Sequence, residues 1–203
     1  MRKKVIAALL TGLALVLAVV TPAQAKPKAN EVSAAANCFT TFVPSAPEGG
    51  PMTQYYKNCN GAPIRVGKGF VNASGQISVY VQSCQQVGVG ETISWGYAST
   101  DPNANYHTVI CTSSFASPEI EAVSGAQCWT TFYPLNPNGG SMVHVYKNCN
   151  PTTVTVATGR TDGSGQISVF TNSCAGAAPQ AGVLWRYGST AQGSNYHTIL
   201  CVY

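Results

Sequence analysis

The sequence predicts an all-β protein built as two tandem six-stranded antiparallel β-sandwich lobes, each with two disulfides. Three observations carry this expectation. Eight cysteines fall into two register-matched quartets. Short stretches rich in β-branched and aromatic residues are separated by Gly, Pro and Asn clusters. Beyond the first 25 residues, no segment sustains helical apolar periodicity.

The quartets come from a duplication. Cys38, Cys59, Cys84 and Cys111 recur as Cys128, Cys149, Cys174 and Cys201, each displaced by 90 residues. Flanking blocks keep the same offset: CFTTFVP (38–44) with CWTTFYP (128–134), YKNCN (56–60 and 146–150), SGQISV (74–79 and 164–169) and NYHT (105–108 and 195–198). The lead-ins EVSAAANC (31–38) and EAVSGAQC (121–128) also match. At this period the repeating unit is a small domain rather than a solenoid turn.

The elements follow in order. Residues 1–25 have the pattern of a secretory signal peptide: Arg2, Lys3 and Lys4, then an uncharged run from Val5 to Val20, then the small-residue exit Ala23-Gln24-Ala25. Residues 26–36 form an N-terminal tail, 37–112 the first lobe, 113–126 a linker and 127–203 the second lobe. Within each lobe three hairpins are expected. In the first they are CFTTFV with MTQYYKN, PIRVGKGFV with QISVYVQS across the NASG turn, and ETISWGYA with NYHTVIC. Secretion places the cysteines in an oxidising compartment. Four cysteines per lobe allow three pairings. Pairing first with second and third with fourth is the simplest, since each bond then ties the open ends of neighbouring strands.

Composition narrows the function classes. Without Arg2, Lys3 and Lys4, eight basic residues face seven acidic ones. That balance provides no basic stripe for nucleic acid, and once the signal is cleaved no membrane segment is expected. The acidic side chains are Glu31, Glu48, Glu91, Asp101, Glu119, Glu121 and Asp162, and none forms a close pair suited to acid–base catalysis. His107 and His197 recur in NYHT without a nucleophile or orienting acid in sight, and His144 has no counterpart in the first repeat. The cysteine spacing fits no zinc site. No enzyme activity, cofactor or metal is expected.

Cys149, TVTV (153–156), Cys174, a Pro-containing turn, a strand tyrosine and the final Cys201 follow in an order that resembles the small secreted α-amylase inhibitors of actinobacteria, the tendamistat family. The resemblance implies a six-stranded sandwich with first–second and third–fourth disulfides, secreted by a Gram-positive actinobacterium. The family's inhibitory Trp-Arg-Tyr also occurs here, as Trp185, Arg186 and Tyr187. In the family it lies between the first two cysteines, whereas here it lies between the last two, inside an expected strand. Period-two alternation puts Trp185 and Tyr187 on one face and Arg186 on the other. The first repeat has Trp95, Gly96 and Tyr97 in those positions. The aromatic pair therefore reads as packing, and no inhibitory residue is carried across.

These readings point to a secreted, non-enzymatic adaptor that joins other secreted proteins, two in number, in an extracellular complex. In scale and class the chain is similar to the small connector of umbrella-type antibacterial toxin particles. The tail offers Lys26, Lys28, Glu31 and Val32 as partner-binding residues able to add to another protein's sheet. The alternatives are an inhibitor of a secreted glycoside hydrolase and a carbohydrate-binding module. The second is suggested by aromatics such as Tyr55, Tyr56, Trp95, Tyr97 and Tyr106.

Overall fold

The computed structural model describes residues 37–44, 48–113, 118–121, 126–134 and 139–203. The signal-peptide and tail expectations, including Lys26, Lys28, Glu31 and Val32, lie outside these residues. Among the described residues the chain is all-β. The first repeat forms β1 (Phe39–Val43), β2 (Met52–Lys57), β3 (Ile64–Val71), β4 (Ile77–Tyr80), β5 (Gln85–Val87), β6 (Thr92–Tyr97) and β7 (Asn105–Thr112). The segment between repeats adds β8 (Glu119–Glu121). The second repeat forms β9 (Trp129–Tyr133), β10 (Met142–Lys147), β11 (Val154–Thr161), β12 (Ile167–Phe170), β13 (Ala175–Ala177), β14 (Gly182–Tyr187) and β15 (Asn195–Val202).

Four disulfides join Cys38–Cys59, Cys84–Cys111, Cys128–Cys149 and Cys174–Cys201, two in each repeat and none between them. The smaller loops span 21 residues and the larger 27. Closing loops of this size in the unfolded chain is worth about 3 kcal/mol each in the chain-entropy account.

The expectation of two self-contained six-stranded sandwiches needs correction, because the repeats share a sheet. Each repeat has an outer sheet of its own, β1-β2-β6 in the first and β9-β10-β14-β8 in the second. The inner strands do not stop at the lobe boundary. β4 runs parallel to β15, with Ile77 opposite Ile199 and Val79 opposite Cys201. β12 runs parallel to β7, with Ser168 opposite Ile110 and Val169 opposite Cys111. Together with β3–β7, β3–β4, β11–β15 and β11–β12, these pairs close a six-stranded barrel, β7-β3-β4-β15-β11-β12. The third expected hairpin is also corrected. β6 pairs with β2 and β7 with β3, so ETISWGYA and NYHTVIC belong to different sheets.

Edge exposure gives the physical reason for the fusion. A lone inner sheet would leave the edges of β4 and β7 open to solvent, a liability for any sheet. Pairing each edge with its counterpart in the other repeat satisfies both. It also buries one core built from both halves: Ile77, Val79, Val109 and Cys111 meet Ile167, Val169, Ile199 and Cys201, with Ala157 beside them. These eight are four pairs of repeat-equivalent residues. Close approach demands glycine at two equivalent places. A Cβ on Gly159 would lie 2.5 Å from the Ser168 carbonyl oxygen, and one on Gly69 would lie 2.6 Å from that of Ser78.

Each outer sheet packs on its own side of the barrel. In the second repeat Met142, Tyr146, Val183, Trp185 and Tyr187 cover Val156 and Ala177. In the first, Tyr56 and Trp95 cover Val66 and Val87. The two indole N–H groups make equivalent bonds, Trp185 Nε1 to the Ser173 carbonyl (3.1 Å) and Trp95 Nε1 to that of Ser83 (3.3 Å). Arg186 points outward and bonds Glu119 of β8 at 3.3 Å, as strand alternation anticipates.

Candidate functional site

The barrel brings together motifs that are far apart in the sequence. The NYHT strand end of one repeat lies beside the SGQI turn of the other, and this happens twice. One groove, of about 420 Å³, is lined by Thr40, Phe42 and 106–108 from the first repeat and by 164–167 from the second. The other, of about 330 Å³, is lined by Trp129, Thr130, Phe132, Tyr146 and 196–198 from the second repeat and by 74–77 from the first. Apart from Trp129 and Tyr146, every lining residue of the second has its repeat-equivalent in the first.

The turns are held rigidly. Asp162 accepts hydrogen bonds from the backbone N–H of Ser164 and Gln166 and from the Ser164 hydroxyl. Those bonds, chiefly from Ser164, hold its carboxyl below the usual carboxylate range. Asn72 does the same work for Ser74 and Gln76 in the first repeat. Gln166 also reaches across the lobe boundary to donate to the Thr108 carbonyl at 3.1 Å. His107 and His197 are half-buried in the grooves, and burial moves both toward their neutral forms.

Beneath the grooves the repeats diverge. In the second, Tyr187 bonds Thr158, Thr158 bonds His144 Nδ1 (2.7 Å), His144 Nε2 bonds Thr198 (2.8 Å) and Thr198 bonds Thr130 (2.7 Å). A neutral imidazole, with one N–H and one lone pair, satisfies both neighbours in either direction of this chain. In the first repeat Gln54 replaces His144. Its amide donates to Thr108 (2.7 Å) and accepts from Tyr97 (2.8 Å). Lys68 takes the place of Thr158, with its ammonium 4.3 Å from the Tyr97 ring centre and 4.5 Å from that of Tyr80.

His144 has no histidine counterpart; Gln54 stands at its equivalent position and joins Thr108 to Tyr97 directly through its amide. Burial, helped by nearby His197, pushes the pKa of His144 down to about 3. It is therefore neutral at ordinary pH and a poor general base there. The hydroxyl–imidazole chain provides no carboxylate partner, and among the described residues no three His, Cys, Asp or Glu side chains converge on a point.

A pH prediction follows. His144 stays neutral when folded but titrates near 6.5 when unfolded. The stability that depends on its neutrality is fully present above pH 6.5. It is lost as pH falls from there toward 3, at up to about 1.4 kcal/mol per pH unit. His107 and His197 act in the same direction. We expect His144→Gln, which copies Gln54, to reduce the acid slope by about one proton between pH 6 and 4. Urea unfolding across a pH series measures it, and an unchanged slope contradicts the assignment.

Trp185, Arg186 and Tyr187 do not form a protruding patch. Trp185 is 1% exposed and Tyr187 is buried against Tyr196, ring centres 4.9 Å apart, while Arg186 lies on the opposite face. No protein-family model matches the chain, and no curated protein or solved structure matches it.

Proposed function

We propose that the protein is a secreted, non-enzymatic adaptor that holds two other secreted proteins in one extracellular complex, of the kind a toxin-particle connector serves. Four disulfides fit an extracellular setting. The observation that carries the reading is the shared barrel, which joins the two repeats and their separate outer sheets into one body. In the second repeat the outer edge of β14 is covered by β8, with Ile120 opposite Val183 and Arg186 clamped to Glu119.

An open sheet edge on a partner accepts an extended segment through backbone hydrogen bonds. Each lobe presents an outer sheet of its own, and the shared barrel fixes the distance between them. Two partners held at a fixed spacing gain effective concentration for each other. The tail that carries Lys26, Lys28, Glu31 and Val32 adds, in this reading, a strand to one partner's sheet.

Removing residues 26–36 is expected to abolish capture of one partner and to leave the fold and the other partner's capture intact. Affinity purification from native culture supernatant, with mass spectrometry of the full-length and trimmed proteins, reads this out. Identical partner sets, or no partners for either, sink the adaptor reading.

A further inference from the structure

The two grooves differ in one wall, and the difference has chemical meaning. Trp129 is 49% exposed and has a φ of 74°. A bulky aromatic in the left-handed region is uncommon, because its Cβ crowds the backbone there. In a regular strand Trp129 would face away from Thr130. The indole of Trp129 nevertheless lines the groove together with Thr130 and Phe132. Phe39 has the same backbone conformation, φ 67°, at the equivalent place. The first groove, however, is walled by Thr40 and Phe42.

We propose that the Trp129 groove is a binding site for a neutral oligosaccharide, with the indole as the stacking platform. Three features select this class of ligand. First, the lining contains no carboxylate, ammonium or guanidinium, and burial moves its one imidazole, His197, toward the neutral form, so the groove holds no strong counter-charge for an ionic ligand. Second, the exposed Gln76 amide shares the groove with an aromatic wall and with hydroxyls of Ser74, Thr130 and Thr198 already bonded to Asn72, to each other and to His144, which suits a ring with polar edges and an apolar face. Third, about 330 Å³ lies at the small end of the range for ligand pockets, enough for a short saccharide segment. Gln76 is exposed at the rim, whereas its counterpart Gln166 is tied back to the Thr108 and Ile167 carbonyls. The second groove therefore has both a platform and an amide at hand. The proposal stands apart from the adaptor reading and does not depend on either protein partner.

The test titrates the mature full chain with soluble malto-, cello-, xylo- and chito-oligosaccharides, followed by tryptophan fluorescence and calorimetry. At least one series is expected to bind saturably. Trp129→Ala should weaken it tenfold or more, with Phe39→Ala unchanged. Because Trp129 is exposed, a thermal melt is expected to show Trp129→Ala folded. Gln76→Ala, on the opposite wall, provides a second reading and should weaken binding several-fold. Absence of binding by all four series at millimolar concentration overturns the proposal. So does undiminished binding by both variants, or a protein partner found cross-linked over Trp129 in place of a saccharide.

Discussion

Trp185→Ala is expected to cost the protein about 3–5 kcal/mol, and Arg186→Ala less than about 1 kcal/mol. The adjacent residues differ because the strand sends them to opposite faces. Trp185 is 1% exposed, packs its ring 4.7 Å from His144 and donates to the Ser173 carbonyl. Its removal leaves a cavity beside the His144 chain and an unpaired carbonyl, and neither can be refilled without moving β10. Arg186 loses one exposed ion pair to Glu119, with both side chains about half exposed. Denaturant unfolding of the two variants measures this. A stable Trp185→Ala protein that instead loses potency against an α-amylase would restore the inhibitory reading of the tripeptide.

The offset of 90 residues made the duplication, the disulfide pairing and most strands legible, because cysteines and turn residues mark register directly. Alternation also located the faces of Trp185, Arg186 and Tyr187. What it did not reveal is which strand pairs with which. QISVYVQS and NYHTVIC carry the same apolar alternation whether their free edges face solvent or the other repeat. Only the topology shows β4 against β15 and β7 against β12. A signal was present in that SGQISV and NYHT are among the best-matched blocks, and both contribute strands to the shared barrel. β5 and β13, three residues each, were too short to stand out from loop. The grooves were illegible for the same reason as the barrel, since each is made by a turn and a strand from different repeats. The role of His144 was hidden because its counterpart is not a histidine but Gln54, chemically different and geometrically equivalent.

The fused barrel predicts that the two repeats unfold together and that neither folds alone. Of its nine core residues, Ile77, Val79, Val109 and Cys111 come from the first repeat and Ala157, Ile167, Val169, Ile199 and Cys201 from the second. Separating the halves would expose both sets to water. It would also strip the cross-repeat edges of β4, β7, β12 and β15 of their hydrogen-bonding partners. The side-chain bonds from Thr112 to the Val169 carbonyl and from Thr171 to the Thr112 carbonyl would be lost as well. A half of about ninety residues has little core to spare, and its disulfides constrain the unfolded chain without covering the bared surface. Calorimetry of the intact protein is expected to show one transition whose calorimetric and van't Hoff enthalpies agree. Residues 113–203 expressed alone should lack a cooperative melt as a monomer, or else pair with a second copy through β12 and β15, as the repeat symmetry permits. Two resolved transitions, or a monomeric half that melts cooperatively near the intact protein's Tm, would show that the barrel is only a contact between autonomous lobes. The proposed adaptor would then be a flexible tether and not a fixed spacer.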